Sequence, residues 1–182
     1  MLAASRCLLA SQIASRGEFA AAREHGLAAR EGLKDLVGLF PQTLDYQGKL
    51  ARAEQLLGEV AASSGEPALA REHFQAADHT WRPLTAGPEP RPEYCARHAS
   101  VLESLAEVVA ELHGSESQAE LLGRAADLRR EALQPFPEHT DFRAALAGTL
   151  RRLLALEPSS SQGAEELRSE LAELEGSGRS GV

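Results

Sequence analysis

Leu56-Leu57-Gly58-Glu59-Val60-Ala61-Ala62-Ser63-Ser64-Gly65-Glu66-Pro67-Ala68-Leu69-Ala70-Arg71-Glu72-His73-Phe74-Gln75-Ala76-Ala77 decides the fold, because most of its framework occurs again at a fixed distance. Leu8-Leu9, Gly17, Ala22, Ala28-Ala29 and Leu36 each find the same residue 48 positions on, at Leu56-Leu57, Gly65, Ala70, Ala76-Ala77 and Leu84. Tyr46, Tyr94 and Phe142 are also 48 apart, each followed five residues later by Ala51, Ala99 and Ala147, and Phe40-Pro41 returns two periods on as Phe136-Pro137. A period of this size is the mark of stacked supersecondary units, each too thin to bury its own apolar face. Function in such a chain belongs to a surface rather than to a catalytic pocket.

Each period holds two helical patterns. Leu50, Ala53, Leu57 and Val60 lie at helical spacing, Ser63-Ser64-Gly65 interrupts, and Pro67 suits a first helical turn, where its missing N–H costs nothing. Ala70, Phe74, Ala77 and Trp81 continue on one face, and Thr85 to Pro92 is too rich in proline and glycine to be helical through its centre. In the next unit, Leu102, Leu105, Val109 and Leu112 mark a helix, His113-Gly114-Ser115 breaks it, and Ala119, Leu122 and Ala126 lead a second helix to Leu133. Here the register slips to 49, which one inserted residue in the Ser-rich turn explains. A helix is expected over Thr140 to Leu156, then a Ser-rich loop, then a helix with Leu167, Leu171 and Leu174 on one stripe that would cap an open stack. Gly176 to Val182 reads as a disordered tail. The units run over 1–38, 41–86, 90–135 and 138–175 of one domain.

Composition agrees with an all-α chain. Ala, Leu, Glu and Arg dominate, Ile13 is the only isoleucine, and aromatics are 4%, so packing must rest on close Leu and Ala contacts. Lys+Arg number 19 against 27 Asp+Glu, a net charge of −8 that argues against nucleic acid and against anionic membrane as partners. No apolar run approaches the ~18 residues of a membrane span. Cys7 and Cys95 make no disulfide framework and fit reduced thiols in a cytoplasmic protein. Met1 to Gly17 has Arg6, Arg16 and no acid, as a transit peptide would, but its alignment with Lys49 to Gly65 favours a structural helix.

Leu57-Gly58, Gly65, Ala70, Phe74 and Ala77 stand at intervals that resemble the tetratricopeptide repeat. The small residues sit where helices of a unit, and adjacent units, approach most closely. The N-terminal unit has Gly26 where the aromatic belongs, and the third has Gly123 there. The period exceeds that family's usual one, and Pro41 to Tyr46 with Asp141-Phe142-Arg143 resembles the long-helix arrays appended to bacterial serine/threonine protein kinases, although no kinase motif is present. The resemblance implies a right-handed α-solenoid of stacked antiparallel helix pairs, about three units plus a C-terminal pair, whose first helices line a concave groove for a partner protein or peptide. Carried over by position, that groove comprises Arg52, Gln55 and Glu59, then Ser100, Glu103, Glu107 and Glu111, then Arg151. Cys7 and Ser11 stand where members that grip a peptide's terminal carboxylate carry Lys and Asn, which argues against that specific role.

Glu103, Glu107 and Glu111 form an i, i+4, i+8 stripe, either a wall attracting a basic peptide or a solvated helix face. Trp81 is expected in the core rather than at a binding edge, and Tyr46 and Tyr94 at the start of each first helix as a repeated device. His73 and His79 project from different faces, Cys95 and His98 are two ligands short of a zinc site, and no phosphate-loop or nucleophile-elbow motif occurs, so no cofactor, metal or catalytic role is expected. The expected function is a non-enzymatic scaffold or adaptor. The alternative is structural: Leu2, Leu8, Leu9 and Ile13 on the first helix would present an uncovered apolar face, for self-association as a homodimer or for extension of a larger array.

Overall fold

The computed structural model describes residues 2–88, 90–113, 115–158 and 160–176, leaving out the side chains of 2, 4, 113, 115 and 116. Among them are eight α-helices and no strand: α1 (Leu2–Ala14), α2 (Phe19–Leu39), α3 (Leu44–Ser63), α4 (Pro67–Thr85), α5 (Pro92–His113), α6 (Ser115–Leu133), α7 (Thr140–Leu156) and α8 (Gln162–Gly176). Every helix packs on its successor, and α1 also touches α3, as α3 touches α5. Gly176, the expected start of the tail, instead closes α8, and the rest of that tail, 177–182, lies outside the described residues, as does Gly114 in the turn where the alignment slips. The break expected over three residues is narrower, since His113 ends α5 and Ser115 opens α6.

The turns repeat as the residues do. Gly17 and Gly65, 48 apart, both adopt positive φ, +80° and +74°. After α3, Gly65 N donates to Ala62 O at 3.0 Å and Glu66 N to Ala61 O at 2.9 Å, the paired bonds of a Schellman cap. After α1, Gly17 N donates to Ala14 O at 2.9 Å and Glu18 N to Ile13 O at 3.3 Å, the same motif one period earlier. Pro67 takes the first turn of α4, and the Ser161 hydroxyl caps α8 by accepting from Ala164 N at 3.0 Å.

The core is a series of local clusters rather than one centre. Ala10, Ala22, Leu56 and Val60 join α1, α2 and α3. Phe74, Ala77, Trp81, Val101 and Leu105 join α4 to α5, with Ala51 and Ala61 of α3. Ala126, Leu146, Leu150 and Leu171 join α6, α7 and α8. The small residues work as their spacing predicts: Ala70 and Ala77 are wholly buried, and a Cβ on Gly58 would sit 2.7 Å from the Phe74 ring. At Gly26, where the aromatic was missing, the space is taken by Leu57 of α3, which a Cβ there would meet at 2.8 Å. Trp81 is buried, its ring 5.3 Å from that of Tyr94. The aromatics that open α3 and α7 pack on rings just before them, Tyr46 on Phe40 and Phe142 stacked on His139 at 4.2 Å, whereas Tyr94 of α5 reaches back to Trp81. Leu112 departs from its expected place on the apolar stripe and is 36% exposed, because it lies in the last turn of α5, beyond the Val108–Val109 end of the core.

Candidate interaction cleft

A cleft of about 270 Å³ opens where α1, α3 and α5 lie side by side. Cys7, Leu8 and Ser11 of α1 line one wall, Lys49, Arg52, Gln55, Leu56 and Glu59 of α3 the middle, and Arg97 of α5 the far side, over Leu33 of α2. The lining is itself periodic. Cys7, Leu8 and Ser11 stand 48 residues before Gln55, Leu56 and Glu59, and Lys49 stands 48 before Arg97. Lys49, Arg52, Gln55 and Glu59 are three or four residues apart in turn, and Leu56 stands four after Arg52, so one helix face supplies the α3 lining.

On a chain of net charge −8, this cleft brings together three cations and one carboxylate. Lys49 Nζ lies 2.5 Å from Asp45 Oδ2. Arg97 is held below the usual guanidinium range by burial and then by the charge of Arg52, with Glu93 offsetting part of the effect. Glu59 is pushed up by burial, against the hydrogen bond from Gln55 Nε2 (2.9 Å) and the charge of Arg52. Burial likewise raises the Cys7 thiol, with Arg52 opposing, which keeps it protonated and a poor nucleophile.

The other positions carried over from the sequence fall elsewhere. Glu103 turns into the junction of α5, α6 and α7. There Arg129 grips it with Nε at 3.2 Å and Nη2 at 2.8 Å, and the Thr149 hydroxyl donates to Oε1 at 2.5 Å. Glu107 pairs with Arg152 at 3.1 Å while remaining largely exposed, and Glu111 is exposed. The three glutamates are therefore one clamped carboxylate and two on the surface. Ser100 is half-buried on α5. Arg151 is 2.5 Å from Glu175 and lines a separate hollow between α7 and α8.

A second constellation lies inside the stack. Asp78 Oδ1 accepts from His98 Nε2 at 2.7 Å and from Arg124 Nη2 at 2.8 Å, and Oδ2 accepts from Arg82 at 2.7 Å. His98 Nδ1 is 2.9 Å from the Thr85 hydroxyl. The order hydroxyl, imidazole, carboxylate is that of a nucleophile chain. Yet Thr85, His98 and Asp78 are 7%, 3% and 7% exposed, none lines the α1–α3–α5 cleft, and the hydroxyl also contacts Trp81 O at 3.3 Å. The group staples α4 to α5 and α6. Between α3 and α4, His73 Nδ1 meets Glu54 at 2.8 Å in the same manner.

His79 is exposed while His73 is buried, so the two project apart as their spacing predicts. Cys95 faces Glu131 at 3.7 Å and His98 faces Asp78, so the pair does not converge. Among the described residues no three metal-binding side chains come together, and no helix is long and apolar enough to cross a membrane. Sequence reasoning missed Lys49, Leu8 and Arg97 as lining residues, although the 48-residue match of Lys49 with Arg97 was there to be read. Compared with protein-family models and with curated proteins, the chain finds no match in either.

Proposed function

We propose that the chain is a non-enzymatic protein-interaction module, a scaffold or adaptor working in the cytoplasm. In this reading the helices form a right-handed solenoid of about three tetratricopeptide-like units and a closing pair, and a partner segment lies in the groove over α1, α3 and α5. One observation carries it: the same repeat positions on α1 and α3, with Arg97 of α5, surround a cleft that pairs exposed Leu8 with charged and amide side chains. An apolar floor with a few placed polar groups is the usual make-up of a recognition site. Arg52, Gln55 and Glu59 would contact the partner inside the cleft, and Ser100, Glu107 and Glu111 would extend the contact along α5.

Selection of a displayed peptide library on the full chain tests this. Selected peptides should lose about tenfold or more in affinity for a Leu8→Asp variant, whose exposed position spares the fold. Selected peptides indifferent to Leu8→Asp and Gln55→Ala would remove the groove reading. Leu8 and Leu9 are 63% and 43% exposed together on α1, which favours a second reading, self-association through that helix. A monomer at every concentration in sedimentation would dispose of it.

A further inference from the structure

The charges of the groove are sorted along the helix axes, and the sorting repeats. On α3, Lys49 comes first and Glu59 ten residues later; on α5, Arg97 and Glu107 hold the same places 48 residues on. Arg97, Ser100, Ser104, Glu107 and Glu111 alternate spacings of three and four and so share one face of α5. At ~1.5 Å per residue, the cationic and acidic ends of that face are about 15 Å apart, too far to neutralise each other. Glu107 is paired with Arg152 at 3.1 Å but stays largely exposed, and Glu111 is exposed.

Neighbouring carboxylates offset the cationic end only in part, Glu93 acting on Arg97 and Glu59 facing Arg52. Lys49 is paired with Asp45, but among the described residues neither Arg52 nor Arg97 lies within ion-pair distance of a carboxylate. Two guanidiniums facing one cleft suit carboxylates, which they grip in a planar fork. A uniformly acidic partner is nonetheless disfavoured, because it would approach a chain of net charge −8 and run into Glu59, Glu107 and Glu111. A uniformly basic partner would meet Arg52 and Arg97.

We infer that the occupant is a charge-segregated protein segment: its acidic end seats among Lys49, Arg52 and Arg97, an aliphatic side chain rests on Leu8 and Leu56, and its basic end runs along α5 to Glu107 and Glu111. The inference rests on the groove reading above. Charge sorting of this kind fixes the direction in which a segment lies and rejects partners of the wrong pattern.

Fluorescence anisotropy with synthetic Glu/Leu/Lys peptides tests it, using the full chain and probes with blocked ends so that only side chains are read. One probe has glutamates first and lysines last, one the reverse order, one alternates the same residues, and one replaces every lysine by glutamate. One of the two segregated probes should bind about tenfold or more tighter than both the alternating and the all-acidic probes. An Arg52→Glu/Arg97→Glu variant with unchanged circular dichroism should erase that preference, and added salt should weaken it. Equal binding of segregated and alternating probes, tighter binding of the all-acidic one, or a preference that survives the double variant overturns the proposal. If Leu8→Asp abolishes library-peptide binding while the arginine variant leaves it intact, the groove stands and charge segregation falls. If neither substitution matters, the groove reading falls with it.

Discussion

At Asp78, one carboxylate answers three helices. Burial alone would raise its pKa, but the hydrogen bond from His98 and the charges of Arg124 and Arg82 outweigh it and hold the group well below the ordinary carboxylate range. A folded-state pKa lowered in this way adds stability that is fully present above the unfolded value near ~4 and is lost as the pH falls through the folded value. Unfolding free energy should therefore decline from about pH 4 downward. Asp78→Asn should flatten part of that decline and, by leaving His98 and Arg124 without their anion, cost about 3 kcal/mol at neutral pH. Urea titrations of both proteins across acid pH provide the comparison; superimposable acid limbs would mean that Asp78 contributes no linkage. Nothing local distinguishes Asp78 from a surface acid, because Arg124 is 46 residues away and His98 is 20 away.

At the scale of elements, helix identity follows from local rules and the joints follow from glycine. The cap after α3 needs a residue at φ +74°, and nothing stands within 4 Å of a Cβ placed there. A Gly65→Ala variant thus isolates the backbone cost, expected at about 1–2 kcal/mol of destabilisation by denaturant titration. Gly17→Ala should cost a similar amount, since the same hydrogen bonds form at φ +80°. A neutral result at Gly65 would show that the turn relaxes into another conformation. The α4–α5 link lay where proline and glycine gathered, between Thr85 and Pro92. Both helices reached into it by one residue: Thr85 is tied to Trp81 O and His98, contacts that no local pattern reveals, and Pro92 opens α5, a position proline suits.

Across the whole molecule, a chain of small clusters implies graded rather than uniform stability. The largest cluster ties α3, α4 and α5 together and holds Trp81 and Phe74. Hydrogen exchange should accordingly be slowest in those helices and faster toward α8, which packs chiefly on α7, and toward α1, which lies outside that cluster. Equal protection from end to end would instead indicate one cooperative unit.

The sequence by itself determined the all-helical architecture, the period and the turns, and it placed helix boundaries to within a few residues. These depend on side-chain spacing, proline and glycine, which act over a few residues along the chain. Arg52, Gln55 and Glu59, singled out through the repeat resemblance, all line the cleft beside α1. Only the tertiary structure decided which charges remain available. Glu103 looked equivalent to Glu107 and Glu111 along the helix, but Arg129 and Thr149, 26 and 46 residues away, enclose it. Arg97 acquired its importance only when α5 came to lie beside α3, near Arg52. Electrostatic availability depends on distances between helices, and those are set by packing rather than by position in the chain.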